Sequence, residues 1–574
     1  MITSAACSSR TEIASTGGAV AGGDLREAVA GAAVLEAGGN AVDAAVAAAF
    51  VAFVVEPQMC GLGGYGHMAV FLAQSNEFHS VDHGIRAPQR ASASTFEIDE
   101  ASGPNYLGAP AVVGRANEVG HLAAGVPGAV AGLAAAHRRW GTLPWAQLVE
   151  PAIDLAEEGL AVSYDLMAAI TAHARDIREY PELASLLLRD GLPLLAGDGF
   201  QPTKDRIDLS GLAGTLRLIA AQGAAGFYGG PVAEAIDAEF RRAGGLLNAA
   251  DLAAYAPKIT REEPLAFNGV EYATGADTVA YEALNILSCV DVSRWDADSA
   301  QYRHLMAEAL ACAFTDNFTY YGDPDTEASP VAGLTSPEFG AARAAMLRDD
   351  RALPRPLQAL DPWPYDGVTS RGRGAAAESS VGGAGGTTKV VAGDRCGNLV
   401  ALCTTLETGF GSLVLVPGTG VIMNNAMLDF DPRPGRANSV APGKMPLFGA
   451  PTVVAAREGK GVFAASGSGG YRIAAAVLHA MVNTLVFGMG PQDATDAARV
   501  YSQGGETIVD ESISETVKQW LTAAGHEVVA LAQKPGMVSL GRVSALSRDP
   551  VTGEVRAGTS PSWCTAAAAA DSPA

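Results

Sequence analysis

The stretch GGAGGTTKVVAGDRCGNLVALCTTLE, residues 382–407, carries the reading on which the rest turns. Two alternating runs, Thr387 to Gly393 and Leu399 to Leu406, flank the turn-like Asp394-Arg395-Cys396-Gly397-Asn398, and that pattern predicts a β-hairpin. If residues 394–398 make the turn, 393 faces 399, and counting outward puts Thr387 opposite Thr405. Opposed residues of an antiparallel pair have Cβ atoms about 4.5–5.5 Å apart, so one hydroxyl can orient the other. Two opposed threonines are also an ordinary β-propensity pair.

A Thr hydroxyl is a weak nucleophile unless a base stands beside it. Placing the Thr at a chain terminus supplies that base, because its own α-amine has a pKa near 8. An internal Thr gains such a terminus only when the chain is cut just before it. Gly385-Gly386-Thr387-Thr388 fits that requirement, since glycine on the departing side permits a strained backbone at the scissile bond. The same four residues also suit a loop entering a strand. Ahead of them, from Asp349, Pro354, Pro356, Pro362 and Pro364 are followed by RGRGAAAESSVGGAGG, and residues 371–386 read as a mobile linker.

Downstream, GVFAASGSGGYRIAAAVLH (461–479) reads as a strand from Gly461 to Ala465, a sharp turn over Ser466 to Gly470, and a helix from Arg472 to Phe487. Such a turn can aim the N–H groups of Gly469 and Gly470, near a helix N-terminus, at a developing oxyanion. Upstream, Asp24 to Val55 predicts two helices broken at Gly38-Gly39-Asn40. The glycine-rich run Gly61 to Gly66 then leads into a strand from His67 to Leu72. Strand-first order is missing there, so it is not a dinucleotide fingerprint. Ala123 to Phe318 reads as mostly helical, including Ala129 to Trp140, Trp145 to Gly159 and Val232 to Gly244, and the tail TAAAAADSPA as disordered.

Composition narrows the function classes. The 574 residues exceed one ordinary core and predict two or more units or one large layered fold. A net charge of −23 without a Lys/Arg stripe argues against a nucleic-acid partner. The longest apolar run, Ala44 to Val55, falls short of the roughly 20 residues that cross a bilayer. MITSAACSSRTEIASTGG has no cationic start with an apolar block behind it, so the expectation is a cytoplasmic protein with no membrane partner. Seven scattered cysteines without a C-x-x-C pair, and nine histidines without H-E-x-x-H, predict neither a disulfide framework nor a metal, and no cofactor is expected.

Taken together, several segments give the chain a family resemblance. GGNAVDAAVAAAF (38–50), VVEPQMCGLGGYGHM (54–68), GFYGGPVAEAI (226–236), GDPD (322–325), the hairpin itself, PGTGVIMNNAMLDF (417–430) and SGSGGYRI (466–473) resemble the γ-glutamyltransferase family of N-terminal-nucleophile hydrolases almost from end to end. The resemblance implies an α+β fold, a four-layer αββα sandwich. It implies a precursor, or zymogen, that cuts itself before Thr387 into a large subunit, 1–386, and a small subunit, 387–574. It further implies that Thr387 attacks an amide carbonyl to form an acyl-enzyme, with Thr405 as the family's second Thr and Gly469 and Gly470 as its oxyanion glycines.

Against that pattern the substrate pocket departs. The family's arginine for a γ-glutamyl α-carboxylate falls on Gly84, with Arg86 two residues on as a substitute, and its serine pair falls near Phe448 and Gly449. Its Asn corresponds to Glu407 and its Gln to Ala426, while Asp429 matches. Losing charge-assisted hydrogen bonds of about 1.5–3 kcal/mol each would leave a γ-glutamyl carboxylate poorly held. The expected activity is therefore hydrolysis or transfer of a non-γ-glutamyl acyl group from a small-molecule amide. The alternatives are C–C bond hydrolysis of an oxo acid, as in relatives from antibiotic-type pathways for proline-derived units, and an uncleaved pseudoenzyme acting as a scaffold.

Overall fold

The computed structural model describes residues 7–8, 12–105, 108–197, 201, 206–275, 277–367, 385–532, 539–560 and 565–570. Two antiparallel sheets form its centre. One has eight strands in the order Cys7–Ser8, Ala566–Ala569, Gly18–Gly22, Gly386–Asp394, Leu399–Glu407, Tyr65–Leu72, Glu77–His83 and Lys258–Glu262. The other has seven: Leu265–Phe267, Val270–Ala273, Thr452–Arg457, Lys460–Ser468, Arg542–Arg548, Val555–Thr559 and Ile13–Ser15. Phe71, Val391 and Ala401 of the first meet Val454, Ala464 and Leu546 of the second in a dry layer between them.

Helices cover both outer faces, which makes four layers. Val390, Ala392, Val400 and Leu402 pack under helices Leu25–Glu36 and Ala41–Val55. On the far side, Val453, Phe463 and Ala465 pack under Thr278–Ser288, Ala300–Tyr320 and Arg472–Leu485. The Ala41–Val55 helix is apolar all round because it lies between the sheet and further helices, and every residue in it is buried. Asn40 starts it: its side chain accepts from the N–H groups of Val42 and Asp43, and Asp43 answers in a capping box.

Strands Gly386–Asp394 and Leu399–Glu407 are buried at every residue, as central strands covered on both faces must be. Asp394 locks their turn to the helical layer: its carboxylate accepts from the backbone and side-chain N–H groups of Asn398 and from the N–H of Ala41. The register is the one expected from a five-residue turn, Gly393 opposite Leu399 and Thr387 opposite Thr405. A bulge follows immediately, with Gly386 opposite Glu407, so it leaves the threonine pair in place.

Four expectations need correction or qualification. The tail is not disordered throughout: Ala566–Ala569 is a buried strand wedged between Cys7–Ser8 and Gly18–Gly22, because alanine is small enough to fit under helix Leu25–Glu36. The mostly helical middle also holds the strands Lys258–Glu262 and Leu265–Phe267, each at a sheet edge, and Val270–Ala273 beside the latter. At three to five residues each they are too short to set a clear alternation against the helical pattern around them. The strand before the Gly-rich turn runs on to Ser468, and the one after Gly61 to Gly66 begins at Tyr65. Of the linker 371–386, residues 371–384 lie outside the described residues, while Gly386 already belongs to a strand.

Deleting residues 565–574 should strip one side of strand Gly18–Gly22. Losing a few ladder hydrogen bonds at about 1 kcal/mol each, the truncated chain should lose on the order of 3 kcal/mol in denaturant unfolding; an unchanged midpoint would contradict the placement of this strand.

Candidate active site

Gly386 and Thr387 sit where the central hairpin emerges from the layers. Thr387 Oγ1 donates to Thr405 Oγ1 at 2.9 Å, and Thr405 Oγ1 donates to the Gly386 carbonyl at 2.5 Å. Thr405 Oγ1 also accepts from the N–H of Glu407 at 2.8 Å. One buried hydroxyl thus joins the Thr387 side chain to the carbonyl of the peptide bond that precedes it. Close packing requires the glycines here, because a Cβ on Gly386 would lie 2.7 Å from the Thr408 carbonyl and 2.8 Å from that of Gln58.

Across from this peptide stands the turn after strand Lys460–Ser468. Gly469 and Gly470 have φ of +126° and +61°, a conformation that glycine adopts without strain. Gly385 packs directly on it, with a Cβ on Gly385 falling 3.1 Å from the Gly470 nitrogen. The cleft between Thr387 and Gly470 is completed by Glu407, Asp429, Phe448 and Tyr471, and in the continuous chain it closes to about 10 Å³. That is room for about one water.

An acid pair forms the polar wall. Glu407, at the bulge with φ of +84°, and Asp429 are both buried, and Tyr65 Oη lies 2.7 Å from Glu407 Oε2 and 3.0 Å from Asp429 Oδ2. Burial first, and then the neighbouring Glu407 charge, push the Asp429 carboxyl well above the usual carboxylate range, against the Tyr65 hydrogen bond. Burial and the Glu407 charge both work against an ionised Asp429. Glu407 is thus buried at the strand end rather than solvated.

The apolar wall is Phe448, whose ring stacks on His67 at 5.0 Å and 22° and leans on Tyr65 at 5.0 Å. The space beside Gly84 is taken by Met445, whose Sδ would lie 2.8 Å from a Cβ there. Arg86 is outside the cleft lining and pairs instead with Asp323 at 3.1 Å and Asp325 at 3.6 Å. Ala426 is buried on the turn that carries Asp429, packed with Tyr65, and does not line the cleft. Tyr65, His67 and Tyr471 were not singled out in the sequence. All three sit inside quoted motifs, GLGGYGHM and SGSGGYRI; in the folded chain Tyr471 lines the cleft, while Tyr65 contacts Glu407 and Asp429 and His67 contacts Phe448.

One group with metal-like spacing, His304, Glu308 and His526, lies elsewhere and is buried. His304 Nε2 donates to the Arg348 carbonyl, its Nδ1 meets His526 Nε2, and His526 Nδ1 meets Thr507 Oγ1. Glu308 is held by Arg355 and the N–H of Leu353. Each ligand-type atom therefore has a partner already. No helix among the described residues is long and apolar enough to cross a membrane.

A four-layer sandwich with a Thr on a central strand, opposite a glycine turn, defines an N-terminal-nucleophile hydrolase. The chain belongs to the γ-glutamyltranspeptidase family, whose pattern matches residues 28–570. The acylase ACY 1 proenzyme of Pseudomonas sp. strain SE83 is 37% identical over 509 residues, 87% of this chain and 85% of that one. The glutathione hydrolase proenzyme of Bacillus subtilis strain 168 is 32% identical over 532 residues, 91% and 86% of the two chains. Among solved structures, cephalosporin acylase from Bacillus halodurans matches with a TM-score of 0.82 at 26% identity, covering 99% of this chain and 98% of that one. The protein is an enzyme of this hydrolase and transferase class.

Because Asp429 holds its proton more tightly folded than unfolded, it lowers stability as pH rises from the unfolded carboxylate range through its raised folded value. Asp429→Asn should therefore stabilise the fold at pH 8 by about 1–3 kcal/mol, the scale of a poorly satisfied buried polar group. The gain should vanish towards pH 4, which thermal melts across that range would show.

Proposed function

We propose that the chain cuts itself between Gly386 and Thr387, and that the exposed Thr387 then transfers or hydrolyses an acyl group other than γ-glutamyl from a small-molecule amide. The observation that carries this reading is the Thr405 hydroxyl, placed between the Thr387 hydroxyl and the Gly386 carbonyl. In the first step Thr387 Oγ1 attacks the Gly386 carbonyl carbon, Thr405 donates to the carbonyl oxygen, and the amide becomes an ester. The Gly386–Thr387 C–N bond breaks in that shift and frees the Thr387 amine; water then cleaves the ester, giving a Gly386 carboxylate and restoring the Thr387 hydroxyl. Large and small subunits, 1–386 and 387–574, result.

The freed segment vacates the cleft where Gly385 lies on Gly470. A substrate amide takes its place, with its carbonyl oxygen towards Gly469 and Gly470. No described group accepts a hydrogen bond from either glycine N–H, so both are available to an oxyanion. The Thr387 amine takes the proton from Oγ1 as the hydroxyl attacks, and returns it to the leaving amine. Water or an acceptor amine resolves the acyl-enzyme.

Selectivity follows from the walls. The α-carboxylate of a γ-glutamyl group would meet no arginine at 84, a methionine in that space, and the acid pair Glu407–Asp429 opposite. The Phe448–His67 stack offers an apolar surface instead. Acylases among the relatives, including one named for cephalosporins, fit that shape. In this reading Phe448 shapes the acyl pocket, Glu407 and Asp429 engage a polar group on the substrate, and Arg86 and Ala426 act only through their neighbours.

Denaturing electrophoresis of the purified protein should show bands of about 39 and 19 kDa, scaled by length from 58.5 kDa, with Thr387 at the new terminus. Thr387→Ala should leave one band. Thr405→Val should slow self-cleavage about 100-fold, the scale of losing nucleophile orientation, while Thr405→Ser retains most of it. The mature enzyme should release amine from acyl amides and turn over γ-glutamyl amides at least ~10-fold less well, the discrimination of one lost charge-assisted contact. An oxalate-type product from 2-oxo acids, with no amidase activity, would overturn the amide assignment.

A further inference from the structure

We propose that the buried ammonium of Lys389 is a positioning residue that keeps the Thr387 α-amine unprotonated, and so ready to act as base. This inference rests on Thr387 being the terminal nucleophile. Lys389 follows Thr387 by two residues on the same strand, so both side chains leave the same face, about 7 Å apart at two strand rises. The next residue on that face, Val391, lies in the dry layer between the sheets. Lys389 is 2% exposed, on a strand face that continues into the apolar layer between the sheets. A buried Lys is costly unless its charge is used.

Among the described residues, no carboxylate forms an ion pair with it. The charged groups within range come from every surrounding layer: Arg542 on the facing sheet, Glu27 and Glu56 on the two inner helices, and Asp165 on helix Tyr164–Ile177. Cys403 is its cross-strand neighbour. Burial pushes the Lys389 amine down to about 8, while Glu56 and Glu27 pull it back up. At about 8 it is mostly protonated at pH 6 and mostly neutral at pH 9.

Glu407 and Asp429 line the same cleft as Thr387, and negative charge on that wall favours a protonated amine. Left alone, that pair would push the Thr387 amine above its ordinary value near 8 and silence it at neutral pH. A fixed positive charge on the opposite side offsets this. Like charges at this separation, in a protein's effective dielectric, oppose double protonation by on the order of one pH unit.

The test is the pH profile of kcat/KM of the mature enzyme on an acyl amide. In the wild type the acid limb should fall below pH 8, and Lys389→Met should move it up by about one unit. Activity at pH 6 should then drop about 10-fold, with little change at pH 9, and Lys389→Arg, which keeps the charge, should leave the limb near its wild-type position. A uniform loss across pH, an unmoved limb in Lys389→Met, or equal shifts in the Met and Arg variants would overturn the inference. If the variants fail to fold, a wild-type acid limb at or above pH 8 overturns it alone. A wild-type protein that is never severed at Gly386–Thr387 sinks the underlying proposal instead.

Discussion

The pairing of two buried central strands is the constraint on which the rest depends. Thr387 and Thr405 are 18 residues apart in sequence, and their hydroxyls meet at 2.9 Å because the Asp394 turn sets the register and both faces of the hairpin are covered. A slip of one residue would turn every side chain to the opposite face. Asp394 therefore acts on the site from the far end of the hairpin, through its bonds to Asn398 and to the start of the Ala41–Val55 helix. Packed layers on both sides hold the register that brings the two hydroxyls together.

Around that fixed hydroxyl the site balances opposing charges. Glu407 and Asp429 share one wall and are bridged by Tyr65, while Lys389 lies on the same strand face as the nucleophile. None of these charges is free in water, so each shifts its neighbours more than a surface group would. The bulge at Glu407, with its left-handed backbone, shows strain concentrated where the polar wall begins. In the proposed mechanism, selectivity and base strength are set by the same few buried groups.

The relatives divide between acylases and glutathione hydrolases. The catalytic geometry is compatible with both, since it uses only two threonines and two glycines. In the far wall of this chain Met445 takes the space beside Gly84 and Phe448 stacks on His67, the two features on which the proposed non-γ-glutamyl selectivity rests. Changing that wall while leaving the hairpin alone is energetically cheap, because a stack contributes about 0.5–1.5 kcal/mol and the central strands do not depend on it.

Much of this was legible in the residues alone. Period-two alternation around a polar turn, glycines before Thr387, and a strand–glycine–helix run with Gly469 and Gly470 are local signals, and the hairpin register followed from turn length. The strands Lys258–Glu262 and Ala566–Ala569 were not legible, because their stability comes from partners distant in sequence rather than from any pattern of their own. The same holds for the cleft. Arg86 looked like a substitute for a missing arginine by spacing, yet Asp323 and Asp325, over 200 residues on, claim its charge. Tyr65 and His67 gave no sign of function until folding brought Glu407, Asp429 and Phe448 to them. Short-range geometry is set by the order of residues, so the sequence by itself determined the hairpin, its threonine pair and the glycine turn. Which charges are paired and which walls meet depends on contacts closed across hundreds of residues, and those only the tertiary structure decided.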